Sequence, residues 1–183
     1  MPRSPAPLLS QLGACATAPH GRTKVTVPVR KLNVSLLTAA EIDHAFPLIR
    51  AICPGAELEG WRHFAAERLG AGPESGTGIL IVRNEQGCIV GISAFKLSYD
   101  LLYGPALLAD HFCALDIVDQ GAIARALENG IEKIARRHGC AVVHTNIAAA
   151  GDTQDDGWLC AVLYERGHRV EGLHMCKLIP TTA

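Results

Sequence analysis

The chain has 183 residues, a formal net charge of −1 and a pI near 6.7, with 49% hydrophobic and 19% charged residues. That is enough for one domain with a real core and short for two. The balance speaks against broad electrostatic binding to nucleic acid or anionic membranes, which need a concentrated basic face. No apolar run approaches the ~20 residues of a membrane-spanning helix.

The seven cysteines stand at 15, 53, 88, 113, 140, 160 and 176 with no CxxC pair. They read as buried reduced thiols of a cytoplasmic protein, not as a disulfide framework or a zinc site. The remaining histidines are scattered without ligand spacing, so no metal is expected.

Residues 1–28 hold five prolines and no acidic residue. Leu12-Gly13-Ala14-Cys15 faintly resembles a lipoprotein cleavage box, and the lack of Asp and Glu faintly resembles a transit peptide. The proline density instead favours a disordered extension ahead of one domain over 29–183. Lys31–Leu37 alternates as a half-buried strand should. Thr38-Ala-Ala-Glu41 predicts a capping box opening a helix with Ile42, Ala45, Phe46, Ile49 and Ile52 on one face and Pro47 inside as a kink. A second helix carries Leu58, Trp61, Ala65 and Leu69. Strands at Gly78–Arg83 and from Cys88 to about Leu97, joined around Asn84-Glu-Gln-Gly87, predict a hairpin. A strand over Leu107–Leu115 follows, then a long helix from Ala122 to His138 with Ile123, Leu127, Ile131 and Ile134 on one face and Gly139 as its stop. Cys140–Ile147 reads as a buried strand with a polar centre. Thr153 begins a second candidate capping box, and a helix with Trp158, Leu159, Val162 and Leu163 ends at Gly167. A last strand is expected from His168 to about Ile179. The order is β-α-α-β-β-β-α-β-α-β, an α/β fold with a mixed, largely antiparallel sheet flanked by helices.

That order, with three local stretches, resembles the GNAT family of N-acetyltransferases. The stretches are Ala126-Leu127 through Arg136-Arg137-His138-Gly139-Cys140, Ala161-Val-Leu-Tyr164-Glu-Arg-Gly167-His168, and Val90-Gly91-Ile-Ser-Ala-Phe95. The resemblance covers about residues 30–180. It implies an acyltransferase moving the acetyl group of acetyl-CoA to a primary amine of a small molecule or peptide. Exposed sheet edges would allow a homodimer. It also implies that the fourth and fifth strands splay, with pantetheine held between them by backbone groups of Phe112, Cys113 and Ala114, and with Asn146 bonding the cofactor arm. The family's Gln/Arg-x-x-Gly-x-Gly/Ala loop maps onto Asp119-Gln120-Gly121-Ala122-Ile123-Ala124, so Gln120 to Ala124 would meet the pyrophosphate at a helix N-terminus. Asp119 and Ala122 depart from that pattern: a carboxylate opposes phosphate, and a methyl group replaces a glycine's close approach. The resemblance further implies Tyr164 as the acid that protonates the thiolate, and His111 or Asp110 as the base for the acceptor ammonium. Strand alternation predicts that only one of those two faces the substrate. A module that keeps the fold without CoA binding is the alternative.

Overall fold

The computed structural model describes residues 31–70, 76–115, 120–147, 157–172 and 177. In chain order these form β1 (Asn33–Leu36), a 3-10 turn (Ala39–Glu41), α1 (Ile42–Ile52), α2 (Leu58–Leu69), β2 (Thr77–Arg83) and β3 (Ile89–Asp100). Then come β4 (Gly104–Ala114), α3 (Gln120–Arg137), β5 (Val142–Thr145) and α4 (Gly157–Glu165). The strands lie in the order β1-β2-β3-β4-β5; β1 to β4 are antiparallel neighbours, and β5 runs parallel to β4.

The run Ile79-Leu80-Ile81-Val82 shows why the sheet is central. Alternate residues enter two cores: Ile79 and Ile81 pack with Leu37, Leu48, Trp61 and Ala65 under α1 and α2, while Leu80 and Val82 pack with Ile123, Leu127 and Ile131 of α3. A strand covered on both faces reads as a continuous apolar stretch. Each such side chain, fully buried, contributes about 1.5–3 kcal/mol.

Local signals set the element ends. The Glu41 carboxylate accepts from the Thr38 backbone N–H (3.0 Å) and hydroxyl (2.7 Å), and it pairs with Arg83, joining the start of α1 to β2. In the β2–β3 turn, Asn84 Oδ1 accepts the N–H groups of Gln86 (3.1 Å) and Cys88 (2.9 Å), and Gly87 takes φ +80°. Helices α3 and α4 both end in Schellman motifs with glycine at positive φ. Cys140 N–H reaches Ala135 O (2.9 Å) past Gly139, and His168 N–H reaches Leu163 O (3.0 Å) past Gly167.

Two expectations change. The described part of the last strand, 168–172, has no strand pairing; the rest lies outside the described residues apart from Lys177. Cys53 and Cys88 are exposed, and only Cys113 of the five described cysteines is buried. Helix α1 holds Pro47 at its sixth residue, as the pattern predicts, and the missing N–H there removes one rung. The extension 1–28 and the capping box at Thr153 lie outside the described residues. No helix among the described residues is long and apolar enough to cross a membrane.

Candidate active site

Parallel pairing of β4 with β5 runs from Ala106↔Val142 to Ala109↔Thr145, and its last rung is Asn146 N–H to Ala109 O at 2.8 Å. Strand β4 continues to Ala114 on β3 alone, so beyond Ala109 no described strand pairs with its other edge. The pairing ends there because β5 itself ends at Thr145, which leaves that edge of β4 without a described strand partner.

A β-bulge in β4 follows directly after the last β4–β5 pair. Ala94 pairs with Asp110 and Ile92 with Cys113, which leaves His111 and Phe112 opposite Ser93. His111 has φ +50°, a left-handed conformation that costs a non-glycine residue about 1 kcal/mol or more. The bulge overturns the expected alternation. Asp110 reaches Arg68 of α2 (3.6 Å), and the next side chain, His111, also reaches α2, its ring edge-on to Phe64 at 5.1 Å. Phe112 then enters the core under α3, and Cys113 the core under α1 and α2. Both candidate bases therefore face the same helix.

An open groove of about 1320 Å³ runs along β5 and the segment after α4, with Leu108, Asp110 and His111 of β4. Asp110, His111, His144, Thr145, Asn146 and Tyr164 all line it, together with residues 166–172. The candidate base and the candidate cofactor contact touch directly, since Asn146 Nδ2 donates to Asp110 Oδ1 at 2.7 Å. Tyr164 stands on the last turn of α4 and is 54% exposed, because Leu159, Val162 and Leu163 take the buried face. That turn is pinned to α3: Arg166 donates through Nε to the buried Glu128 carboxylate (2.7 Å) and through Nη2 to Asn129 (2.6 Å).

At the start of α3, Ile123 and Ala124 are fully buried, so their side chains serve the core and only backbone is available to a ligand. Gly121 and Ala122 are half-buried. The first four amides of a helix lack intrahelical acceptors, and such a terminus suits an anion; Ala122 already has a partner there. Asp119 lies outside the described residues.

Several contacts around the site escape a reading of the sequence alone. Arg68 stacks over Phe64 (5.1 Å), and Phe64 stacks on Trp61 (6.0 Å), an α2 cluster that meets the groove residues Asp110 and His111. At the other end, Asp100 Oδ2 lies 3.2 Å from His144 Nε2. The backbone N–H groups of Tyr103 and Leu102, with His144 beside them, hold the Asp100 carboxyl below its ordinary value. Burial, with Cys53 nearby, pushes the Cys113 thiol up to about 12, so it stays protonated at neutral pH.

No family model matches the chain, and no curated protein matches it. Solved structures do. An aminoglycoside N-acetyltransferase in complex with CoA superposes with a TM-score of 0.66 at 14% identity, covering 83% of this chain and 98% of its own. A ribosomal-protein-alanine N-acetyltransferase from Brucella melitensis gives 0.59 at 19%, covering 81% and 99%. Glucosamine-6-phosphate N-acetyltransferase from Arabidopsis thaliana gives 0.60 at 14%, covering 82% and 99%. The chain has the N-acetyltransferase fold. At these identities the likeness establishes the fold alone.

Proposed function

We propose that this chain transfers an acetyl group from acetyl-CoA to a primary amine. The observation that carries the reading is the edge of β4 left without a described partner beyond Ala109, with α3 following β4 and Tyr164 in the groove beside it. Pantetheine is an extended chain with two amides, and an unpaired strand edge offers the backbone groups to hold it. Phe112, Cys113 and Ala114 supply that edge, Asn146 adds a side-chain amide, and the backbone of Gln120 to Ala124 takes the pyrophosphate.

Acetyl-CoA supplies an activated thioester. A bond forms between the acceptor nitrogen and the acetyl carbon while the carbon–sulfur bond breaks. The groove aligns the two reactants; the Tyr164 hydroxyl gives its proton to the departing sulfur, the new amide nitrogen loses one to solvent, and solvent reprotonates Tyr164. Asp119 and Ala122 favour a second reading, a module that has kept the fold and lost CoA affinity.

Thiol release from acetyl-CoA tests the proposal. Three amines follow from what the structural neighbours are named for: kanamycin as an aminoglycoside, glucosamine 6-phosphate, and a peptide with N-terminal alanine. Amine-dependent release supports the enzyme. No release, with no CoA binding, supports the module.

A further inference from the structure

On the reading just proposed, the acceptor arrives as an ammonium and must lose a proton before it attacks. Asp110 is engaged on both oxygens, by Asn146 (2.7 Å) and Arg68 (3.6 Å). His111 is exposed and sits in a bulge, its ring against Phe64. A third group in the groove is better built for the task.

His144 pairs in register with Leu108 on β4, and on β5 it shares a face with Asn146, which touches Asp110. Its Nε2 lies 3.2 Å from Asp100 Oδ2. Asp100 ends β3, and its Oδ1 accepts the backbone N–H groups of Leu102 (2.7 Å) and Tyr103 (2.9 Å). The β3–β4 turn itself therefore fixes the carboxylate that fixes the imidazole. A carboxylate can only accept, so Nε2 carries the proton and Nδ1 keeps its lone pair. Among the described residues Nδ1 has no hydrogen-bond partner. The other charged or titratable groups near the ring are Tyr103, 6.4 Å away between centroids, and Glu171 with Arg169. The Tyr103 hydroxyl donates to Glu171 (3.0 Å) and accepts from Arg169 (3.1 Å), so those groups satisfy one another.

We infer that the Asp100–His144 pair is the proton acceptor of the reaction, with His144 Nδ1 as the base and Asp100 as its positioning residue. The ammonium N–H bond breaks, its electron pair stays on nitrogen, and an Nδ1–H bond forms. The imidazolium releases that proton to water after the acetyl group has moved.

Two measurements on the full chain test this. Long-range proton–nitrogen spectra of the imidazoles, with His144 assigned through His144→Gln, should show the neutral ring protonated on Nε2, and Asp100→Asn should weaken that preference. With whichever of the three amines is acetylated, His144→Gln should lower kcat/KM about a hundredfold or more, within the range of general bases. It should also remove the acid limb of the pH profile. Asp100→Asn should lower kcat/KM about tenfold, because the ring loses the carboxylate that holds its orientation and tautomer. CoA affinity should be unchanged in both. A ring protonated on Nδ1, or a His144→Gln protein within threefold of wild type, overturns this role alone. Absent CoA binding in the wild type overturns the transferase reading and this role with it.

Discussion

Replacing Gly91 with alanine should destabilise the protein by moving α3, the helix whose N-terminus the site depends on. Gly91 lies on β3 beneath that helix, and a Cβ there would sit 2.5 Å from Ile123 Cγ2, 3.2 Å from Leu127 Cδ1 and 3.3 Å from Val82 Cβ. Ile123 is fully buried and β-branched, so one rotamer dominates in a helix and its methyl cannot swing aside. The helix must lift or the strand must bend. Overpacking of this kind costs about 1–3 kcal/mol. For a chain of this length each kcal/mol lowers Tm by about 2–4 °C, so the expected fall is about 2–12 °C. Gly130→Ala is the control. Its Cβ would meet Leu80 Cδ2 at 2.5 Å and Val34 Cγ1 at 3.1 Å, but the nearest atom ends a flexible side chain. Alanine also gains about 0.8–1.0 kcal/mol of helix propensity over glycine. The two effects offset, and Gly130→Ala should stay within about 1 kcal/mol of wild type. Differential scanning calorimetry reads both variants. A Gly91→Ala protein as stable as wild type would mean that Ile123 does not lie over Gly91, and the seating of α3 described here would be wrong.

Arg166→Met should cost about 1–3 kcal/mol, because it leaves Glu128, 7% exposed, without its cation; the partly exposed Arg166 lets water soften the full cost of breaking a buried pair. Adding Glu128→Gln should recover at least half of that loss in urea denaturation. Tyr164→Phe should lower kcat by ten- to a thousandfold with little change in KM for acetyl-CoA, and an unchanged kcat would remove Tyr164 from the mechanism. The Glu41 carboxyl is held below its ordinary value of 4.5, chiefly by the Thr38 hydroxyl, then by its backbone N–H and Arg83. A depressed folded-state pKa stabilises above the unfolded value and loses that contribution as pH falls through the folded one. Glu41→Gln should therefore lower Tm at pH 7, and the deficit should shrink below pH 4.5; a deficit constant down to pH 3 would contradict the assignment.

The elements that could be read from the chain were those whose ends carry their own chemistry. The hairpin is bounded by Asn84-Glu-Gln-Gly87, and α3 by its apolar face and Gly139. The bulge at His111 had no such marker, since glycine is the residue expected at positive φ and a histidine occupies the place. Strict alternation then placed Asp110 and His111 on opposite faces, whereas both reach α2. The segment 168–172 was expected in a strand, yet its described backbone continues no sheet. Tyr164, Asn146, Asp110 and His111 were legible as candidates through resemblance, and one groove holds all four. The Asp100–His144 pair was not, because 44 residues separate its members and only the β3–β4–β5 registers bring them together.

The reading places CoA along the free edge of β4 and at the start of α3. Calorimetric titration of the full chain with CoA tests this most directly, with Asp119→Asn measured alongside. Saturable binding in the micromolar range is expected, tightened severalfold by Asp119→Asn and more so at low salt, because the substitution removes a negative charge one residue ahead of the proposed anion site. No detectable heat from either protein at millimolar CoA would contradict it.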